Sequence, residues 1–468
     1  MTTAQRLASS FRDPSGFVYQ RDGVLLRQVN AVYAPHLAAL EESGLLAELV
    51  DAGLLVAHRD RPLADAASEG AVRVLEPVRV PFVSYPYCWS FSQLRDAALL
   101  TLDVQRRALA RGMTLKDASA YNVQFVGTRP VLIDTLSFER LRPGAPWVAY
   151  RQFCQHFLAP LALMSLVDVR LGLLLRQFMD GVPLDLASRM LPWRSRLRPG
   201  LLMHVHLHAS SQRRHADTSG AGADAKGAKP AAAVSVSLAG LNGLVDSLEG
   251  AVRGLSWNAA GTEWADYETQ HGYEAASHET KRQLVAAQLA VAKPRVVWDL
   301  GANTGTFSRV ALDAGAERVV AFDVDPAAVD RAYRRLAEAK EQRILPLVMD
   351  LTNPSPSLGW AHAERPSLAA RADADCVLAL ALVHHLAIGN NVPLPDIAAF
   401  LARLAPWVVL EFVPKEDPQT QRLLRSREDV FGAYDARGFE QAVAPYFDIV
   451  RRDAVSGTDR TLYLLRRR

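Results

Sequence analysis

The stretch "VVWDLGANTGTF", Val296 to Phe307, decides how the second half of the chain is interpreted. An apolar run ends at Asp299, and glycines follow at positions 301 and 305. Residues without bulk at the end of a strand let backbone N–H groups approach a ligand at the carboxyl edge of a sheet. The stretch therefore predicts a strand that leads into a ligand-binding turn.

The chain around this turn alternates apolar runs with amphipathic segments. Strands are predicted at Arg295–Leu300, Val319–Phe322, Ile344–Val348, Cys376–Leu380 and Trp407–Phe412. Helices are predicted at 307–314, from Asp325 through Lys340, and at 396–405. The runs "YFDIVRR" and "RTLYLLRR", joined at Ser456-Gly457, predict an antiparallel hairpin. The expected fold is α/β, a doubly wound, Rossmann-like sheet with a terminal antiparallel hairpin.

The turn differs from a dinucleotide-binding fingerprint, because Gly301, Asn303 and Thr306 occupy the three glycine positions. What it retains is Asp299, Gly301 and Gly305. This spacing resembles the first motif of the class I S-adenosylmethionine-dependent methyltransferases, as does the terminal hairpin. The resemblance implies S-adenosylmethionine rather than NAD as the cofactor. It also places Asp299, Gly301, Asn303 and Gly305 at the cofactor site.

Two further acidic residues match the same family. Asp323 ends the second strand, where the family's acidic side chain accepts hydrogen bonds from both ribose hydroxyls. Asp350 ends the third strand and matches the contact to the adenine amine, with the backbone of Leu351 nearby. Asp325 competes with Asp323, but its position before Pro326 suits a helix cap better. The resemblance implies that Asp323, Asp350 and Leu351 bind the cofactor.

The fourth strand bears on the acceptor. Methyltransferases that modify an exocyclic base or amide nitrogen carry an Asn/Asp-Pro-Pro-aromatic motif here, whereas this chain has Leu380-Ala381-Leu382. His384 and His385 follow, and an imidazole that titrates near neutral pH can accept a hydroxyl proton. We predict these two as catalytic residues and a hydroxyl of a small molecule or glycan as the acceptor. The alternative is that the pair packs, and that transfer needs only proximity and alignment.

The polar segment before the sheet is rich in aromatic residues: Trp257, Trp264, Tyr267 and Tyr273. It is predicted either as a lid whose rings hold the cationic methyl donor or the acceptor, or as a helix packed on the domain.

The N-terminal half shows a second resemblance. Asp117 precedes Asn122 by five residues, an apolar hairpin follows, and Asp134 comes at a strand end. The pattern is similar to the catalytic loop and metal-binding Asp of protein-kinase-like and aminoglycoside-phosphotransferase-like folds. The resemblance implies an α+β kinase-like domain with Asp117 as the base and Asn122 and Asp134 as magnesium ligands, if that domain is active.

Three departures from that pattern predict an inactive accessory domain. No lysine precedes Lys116, so the phosphate-pairing lysine is absent unless Arg27 or another arginine substitutes. A glycine-rich loop is missing, and Asp134-Thr135-Leu136 replaces Asp-Phe-Gly. The alternatives for the whole chain are a bifunctional methyltransferase and phosphotransferase, or a non-catalytic scaffold that binds S-adenosylmethionine.

Composition sets the remaining expectations. The 468 residues carry a net charge of +3, which disfavours nucleic acid as a partner. Residues 209–233 contain no large apolar side chain, so we expect domains at 1–206 and 234–468 joined by a flexible linker at 207–233. Asp168 and Arg170 interrupt the apolar run 157–175, which favours a buried helix over a membrane span. Three scattered cysteines and no signal sequence favour a cytoplasmic location without structural metal.

Overall fold

The computed structural model describes residues 4–208, 235–259, 275–425 and 428–468. The chain divides into two compact units, and each is built from several segments. The first unit comprises residues 1–126, 130–258 and 359–365, and the second comprises 127–129, 259–358 and 366–468. Residues 209–233 of the predicted linker and the aromatic residues Trp264, Tyr267 and Tyr273 lie outside the described residues, whereas Leu207 ends a helical turn of the first unit.

The first unit begins with a five-stranded antiparallel sheet in the order β1-β2-β3-β5-β4. Its strands are β1 (Gln5–Arg6), β2 (Gly16–Arg21), β3 (Val24–Asn30), β4 (His58–Arg61) and β5 (Ala71–Pro77). The turn Asp22-Gly23 joins β2 to β3, and both of its residues have positive φ, which is the geometry of a tight hairpin. Two helices, Ala34–Glu42 and Leu45–Asp51, separate β3 from β4.

The remainder of the first unit is mainly helical. Its longest helix, Phe91–Ala110, starts with a capping box in which the Ser90 and Gln93 side chains satisfy each other's backbone N–H groups. Two small antiparallel pairs follow: β6 (Met113–Leu115) with β9 (Phe138–Arg140), and β7 (Val123–Val126) with β8 (Arg129–Leu132). The further helices are Tyr150–Phe153, Ala159–Leu166, Leu174–Gln177, Leu184–Met190, Pro199–Leu201 and Leu238–Arg253.

The last of these helices, Leu238–Arg253, belongs to the first unit, although the sequence placed residues from 234 onward in the second domain. It packs against the helix Phe91–Ala110. Its apolar face is buried, and its charged face reaches the same neighbour, because Arg106 forms ion pairs with Asp246 and Glu249. An amphipathic helix is drawn to the nearest apolar surface, and sequence order does not reveal which surface that is.

The apolar run 157–175 does not form one helix. The helix Ala159–Leu166 ends within the run, at Leu166. The Asp168 carboxylate then accepts a hydrogen bond from the Arg170 backbone N–H at 2.8 Å, and this bond starts a new turn. A polar residue that bonds to its own backbone competes with helix continuation. Within the ranges the structure describes, no helix has both the length and the apolar character needed to cross a bilayer.

The second unit contains a seven-stranded sheet in the order β12-β11-β10-β13-β14-β16-β15. Its strands are β10 (Val296–Leu300), β11 (Arg318–Asp323), β12 (Ile344–Val348), β13 (Cys376–Ala379), β14 (Trp407–Phe412), β15 (Phe447–Ala454) and β16 (Thr461–Arg467). The first five are parallel and β16 runs antiparallel between β14 and β15. This confirms the predicted Rossmann-like α/β fold of this unit. The loop between β15 and β16 spans 455–460, longer than the predicted two-residue turn.

Helices connect and flank these strands: Ala275–Ala292, Thr306–Asp313, Pro326–Glu338, Leu394–Leu404, Pro418–Leu424 and Ala436–Val443. The helix Thr306–Asp313 is followed by Gly315, whose φ of +104° suits glycine. Asp325 caps the next helix through a 2.8 Å bond from the Ala327 N–H, as predicted. The sheet reverses direction of growth at β10, and ligands bind at such switch points.

Candidate active site

A cleft of about 470 Å³ opens at the carboxyl ends of β10 to β13, at the switch point of the sheet. Sixteen residues line it: Gly301, Asn303, Asp323, Val324, Met349, Asp350, Leu351, Thr352, Leu380, Ala381, Leu382, His385, Leu386, Gly389, Asn390 and Leu423. The turns after four neighbouring strands contribute, because parallel strands deliver their carboxyl ends to one edge.

The glycine turn owes its composition to backbone conformation. Gly301 has a φ of +77° and Gly305 a φ of +88°, and Asn303 between them has a φ of +51°. A Cβ added at Gly301 would meet the Leu382 side chain at 3.6 Å, an ordinary contact distance. Glycine is therefore required for the left-handed conformation rather than for lack of space.

Asp323 lies at the centre of the cleft and is only 8% exposed. One carboxylate oxygen accepts the Asn303 N–H at 2.7 Å and the other accepts the Asp325 N–H at 2.8 Å. Burial raises the pKa of Asp323 to about 6, against the lowering effect of these bonds. Each carboxylate oxygen can accept a second hydrogen bond, so the residue can hold two adjacent hydroxyls of a ligand.

Asp299 does not reach the cleft. Its carboxylate is buried at the end of β10 and accepts the Ser308 hydroxyl at 2.7 Å. Burial raises the pKa of Asp299 to about 6, and the charge of Asp323 adds to this rise. Asp299 thus ties the strand to the helix that follows the turn. Gly305 likewise shapes the turn without lining the cleft.

Asp350 and Leu351 line the cleft beyond the end of β12. The Asp350 side chain is exposed, and one of its oxygens accepts both the N–H and the hydroxyl of Thr352, at 2.8 and 2.6 Å. Its second oxygen remains available to a ligand amine. Met349 and Val324 supply apolar wall on either side of Asp323, which suits the face of a flat ring.

The two histidines occupy different environments. His385 lines the cleft, while His384 is 1% exposed beneath it, with the ring centroids 4.1 Å apart. Burial, together with the smaller effect of the positive charge of Arg460, lowers the pKa of His385 to about 4. Burial, followed by the effect of His385, lowers the pKa of His384. Both rings are therefore neutral at neutral pH.

A buried network of two cations and two carboxylates lies in the same unit. The Lys281 ammonium contacts Glu411 at 2.6 Å, and Arg460 forms two hydrogen bonds to Asp417, at 2.6 and 3.0 Å. Arg460 also approaches Glu411 at 3.7 Å, which links the pairs. Complete pairing offsets the desolvation of such buried charges, and no sequence pattern indicates that residues so far apart would meet.

Of the predicted site residues, the structure brings Gly301, Asn303, Asp323, Asp350, Leu351 and His385 to one cleft. Residues that sequence reasoning missed include Met349, Ala381, Asn390 and Leu423. Ala381 has a φ of +48°, which is unusual for a residue with a Cβ, and such strain concentrates at functional sites. No sequence pattern indicates Leu423, because it reaches the cleft from the helix Pro418–Leu424, which follows β14.

The first unit has its own cleft, of about 460 Å³. Asp117 and Asn122 line it, but Asp134 does not. Instead, Asp134 forms an ion pair with Arg27 from β3 and accepts the Ser137 hydroxyl at 2.6 Å. Burial raises the pKa of Asp134, but the Arg27 charge and these hydrogen bonds outweigh it and lower the pKa overall. No cluster of His, Cys, Asp or Glu in the described ranges is arranged to hold a metal ion.

Comparison with known proteins identifies a relative over nearly the whole chain and a family match within the second unit. The chain is 39% identical over 465 residues to nodulation protein NoeA of Rhizobium meliloti (strain 1021), covering 99% of this chain and 96% of that protein. The chain belongs to the NoeA family. The NoeA-family chain also matches the model of the FtsJ-like methyltransferases over residues 280–358, which include the glycine turn, Asp323 and Asp350.

Solved structures also resemble the NoeA-family chain. Magnesium protoporphyrin IX methyltransferase from Synechocystis PCC 6803, with bound S-adenosylmethionine, is 20% identical with a TM-score of 0.29, covering 44% of this chain and 86% of that one. The N-methyltransferase NodS from Bradyrhizobium japonicum WM9 is 14% identical with a TM-score of 0.30, covering 42% and 98%. These scores are too low to identify an acceptor.

The family match and the strand order establish the class of enzyme. The chain is an S-adenosylmethionine-dependent methyltransferase, and its cofactor is S-adenosylmethionine. The cleft fits this cofactor chemically. The buried Asp323 carboxylate lines it, and the turn beside Asp323 contains two glycines with positive φ, Gly301 and Gly305.

Proposed function

We propose that the second unit methylates a hydroxyl group of a small molecule or glycan. The observation that carries this proposal is the position of His385, whose imidazole faces the same cleft as Asp323 and Asp350 and is neutral at neutral pH. A neutral imidazole can accept a proton, and a hydroxyl must lose one when it is methylated.

In this proposal Asp323 accepts the two ribose hydroxyls of the cofactor, and Asp350 with the backbone of Leu351 binds its adenine. Both carboxylates retain free acceptor capacity after their internal bonds, which supports these roles. The bound cofactor supplies an activated methyl group on a sulfonium. Asp299 acts indirectly, by fixing the turn that carries Gly301 and Asn303.

His385 would take the proton that the acceptor hydroxyl loses when its oxygen displaces the sulfonium sulfur from the methyl carbon, and that sulfur would leave as a neutral thioether. The low pKa of His385 makes it a modest base, but it keeps the imidazole unprotonated and ready. His384 has no contact with the cleft, and its Nδ1 has no hydrogen-bond partner among the described residues. We assign it the positioning of the His385 ring, against which its own ring packs at a tilt of 41°.

The end of β13 supports oxygen over nitrogen as the acceptor atom. Leu380, Ala381 and Leu382 line the cleft there. None of these side chains can accept a hydrogen bond from an amine, which a nitrogen acceptor would require for orientation and loss of its proton. The apolar character of the segment instead suits exclusion of water around the reacting atoms.

The proposal is tested with the full chain and S-adenosylmethionine labelled in its methyl group. Incubation with cell extract, followed by mass spectrometry of the labelled product, identifies the acceptor and the methylated atom. A methyl ether on a small molecule or glycan is the expected product. A methylated amine, or label that appears equally with an Asp323→Ala variant, contradicts the proposal.

We further propose that the first unit is a kinase-like domain that has lost phosphoryl transfer and holds the acceptor. Its order supports this: a five-stranded sheet with Arg27 on the third strand, a long helix, and a loop that presents Asp117 and Asn122 to a cleft. The Arg27 guanidinium pairs with the Asp134 carboxylate, which is the group that would bind magnesium in an active kinase-like domain.

The cleft of the first unit suits a hydroxyl-rich acceptor better than a nucleotide. Three cations line it, and each already has a partner: Arg12 pairs with Glu364 at 2.8 Å, Lys116 pairs with Asp13 at 3.1 Å, and Arg365 lies over the Tyr121 ring at 4.6 Å. Asp117 and Asp180 line the same cleft, and their negative charge repels phosphate while accepting hydrogen bonds from hydroxyls. The name of the relative NoeA leads us to place this acceptor in nodulation.

A further inference from the structure

The first unit carries an unusual concentration of exposed apolar side chains between residues 192 and 207. Their exposed fractions are 67% for Trp193, 70% for Leu197, 37% for Leu202, 53% for Met203 and 57% for Leu207. Exposed large apolar residues elsewhere in the described ranges are scattered more widely along the chain. Scattered exposure needs no explanation, but a contiguous group of this kind marks an interaction surface.

Two buried hydrogen bonds hold these residues on one side of the segment. The His206 ring bonds to the Ser195 hydroxyl at 2.9 Å and to the Ser188 hydroxyl at 2.8 Å. Ser195 lies between Trp193 and Leu197 in sequence, so the turn Trp193–Leu197 is pinned to the turn Leu202–Leu207 through its inward-facing side. The apolar side chains therefore occur next to each other on the outward side.

The inward residues of the second turn confirm this orientation. His204, Val205 and His206 are buried, whereas Leu202, Met203 and Leu207 on the same turn are exposed. His204 is fixed by the hydroxyls of Tyr150 at 2.8 Å and Ser247 at 2.9 Å. The exposed side chains thus stand on a rigid base rather than on a loose loop. We name the exposed group Trp193, Leu197, Leu202, Met203 and Leu207 the apolar ridge.

The charged side chains within the segment 192–207, which carries the apolar ridge, are all arginines. Arg194, Arg196 and Arg198 are exposed within it, and the Arg194 guanidinium lies 5.8 Å from the centre of the Trp193 ring. Residues 186–208 contain no Asp or Glu. The nearest preceding acid, Asp185, is already paired with Arg189 at 2.9 Å. Residues 192–207 thus combine aromatic, aliphatic and cationic side chains and contain no acidic residue.

We infer that the apolar ridge and its three arginines dock on the surface of an anionic lipid bilayer. Apolar side chains insert at the boundary between headgroups and acyl chains, tryptophan prefers that boundary, and arginines bind the anionic headgroups. Nucleic acid would bind the arginines through its phosphates, but it would not explain the exposed aliphatic residues. The charge complementarity favours an anionic bilayer over a second copy of the chain, since two copies would bring the arginines together.

The test is co-flotation of the full chain with vesicles. We expect binding to vesicles of phosphatidylcholine with about a third phosphatidylglycerol, weak binding to pure phosphatidylcholine, and release by salt. The double variant Leu197→Ser, Met203→Ser and the separate double variant Arg194→Gln, Arg196→Gln should each reduce the bound fraction about tenfold or more. Trp360→Ala, at a tryptophan that is 74% exposed outside the ridge, should bind as the parent does.

Each variant is first checked for an unchanged circular dichroism spectrum and thermal unfolding temperature of the full chain, so that loss of folding is recognised. Equal flotation of parent and ridge variants, or no flotation of the parent with the anionic vesicles, overturns the inference. If sedimentation shows that the parent self-associates and that the ridge variants do not, the ridge binds a second copy, and the bilayer proposal is wrong.

Discussion

The two units each present an aspartate after a strand, and these two residues differ in what surrounds them. Asp323 in the second unit accepts hydrogen bonds from backbone N–H groups and lines a cleft. Asp134 in the first unit pairs with the Arg27 guanidinium and lines neither of the two clefts described above. Both were predicted from sequence as ligand-binding residues on the same kind of motif.

The difference shows that a motif fixes the position of a carboxylate but not its availability. Backbone donors leave each oxygen with a free lone pair, whereas an arginine neutralises the charge and takes the position that a metal ion would fill. The partner of Asp134 comes from a strand more than one hundred residues earlier. Predictions that separate the two units therefore test whether neighbours, rather than motif residues, decide function.

The largest effect is expected from His385→Ala, which should lower the methylation rate about a hundredfold at neutral pH if the imidazole is the base. Affinity for S-adenosylmethionine should not change, because the proposed donor contacts lie on other residues. Rate and affinity are measured separately, by product formation and calorimetry. His384→Phe, which keeps a ring beside His385, is the matched variant and should lower the methylation rate less than His385→Ala does. Equal rates for His385→Ala and the parent would show that the two histidines serve packing.

A smaller loss is expected from Asp323→Ala, which should weaken S-adenosylmethionine binding by about 1–3 kcal/mol, the usual cost of removing charged hydrogen bonds. Calorimetry on the full chain measures it. Asp134→Ala is the matched control in the first unit, and it should leave donor affinity unchanged. If the two variants have the same effect, or if the parent prefers NAD, the contrast between the two aspartates fails.

Donor affinity should depend on pH through Asp323. Its pKa of about 6 means that the carboxylate is ionised above that pH and becomes protonated below it. A protonated acid cannot accept hydrogen bonds from both ribose hydroxyls, so affinity should fall about tenfold from pH 7 to pH 5. His385, with a pKa of about 4, stays neutral across this window.

Two variants separate the carboxylates in this pH experiment. Asp323→Asn should remove the pH dependence, because the titrating group is gone. Asp299→Asn should retain it, although burial raises the pKa of Asp299 to about 6 as well, since Asp299 does not line the cleft. An affinity that stays constant between pH 7 and pH 5 in the parent contradicts the proposed ribose contact.

Local sequence signals account for most of the second unit. The strand Ile344–Val348 and the cap of Asp325 follow from short-range pattern, and the structure has both. The cleft residues that were missed, such as Leu423, arrive from helices whose placement depends on tertiary packing. The same limit applies to the helix Leu238–Arg253, because its partner, the helix Phe91–Ala110, is distant in sequence and no local pattern indicates it.

The last prediction is that the first unit has no phosphotransferase activity. The full chain should bind ATP weakly or not at all and should show no magnesium-dependent transfer of its terminal phosphate. Phosphoryl transfer depends on positioning the phosphates and neutralising their charge with metal ions. Here the third strand offers Arg27 in place of lysine, and that arginine is committed to Asp134, so the carboxylate and the cation cancel each other. Phosphotransfer that Asp134→Ala abolishes would show that the ion pair opens on binding, and the bifunctional enzyme would then be the better interpretation.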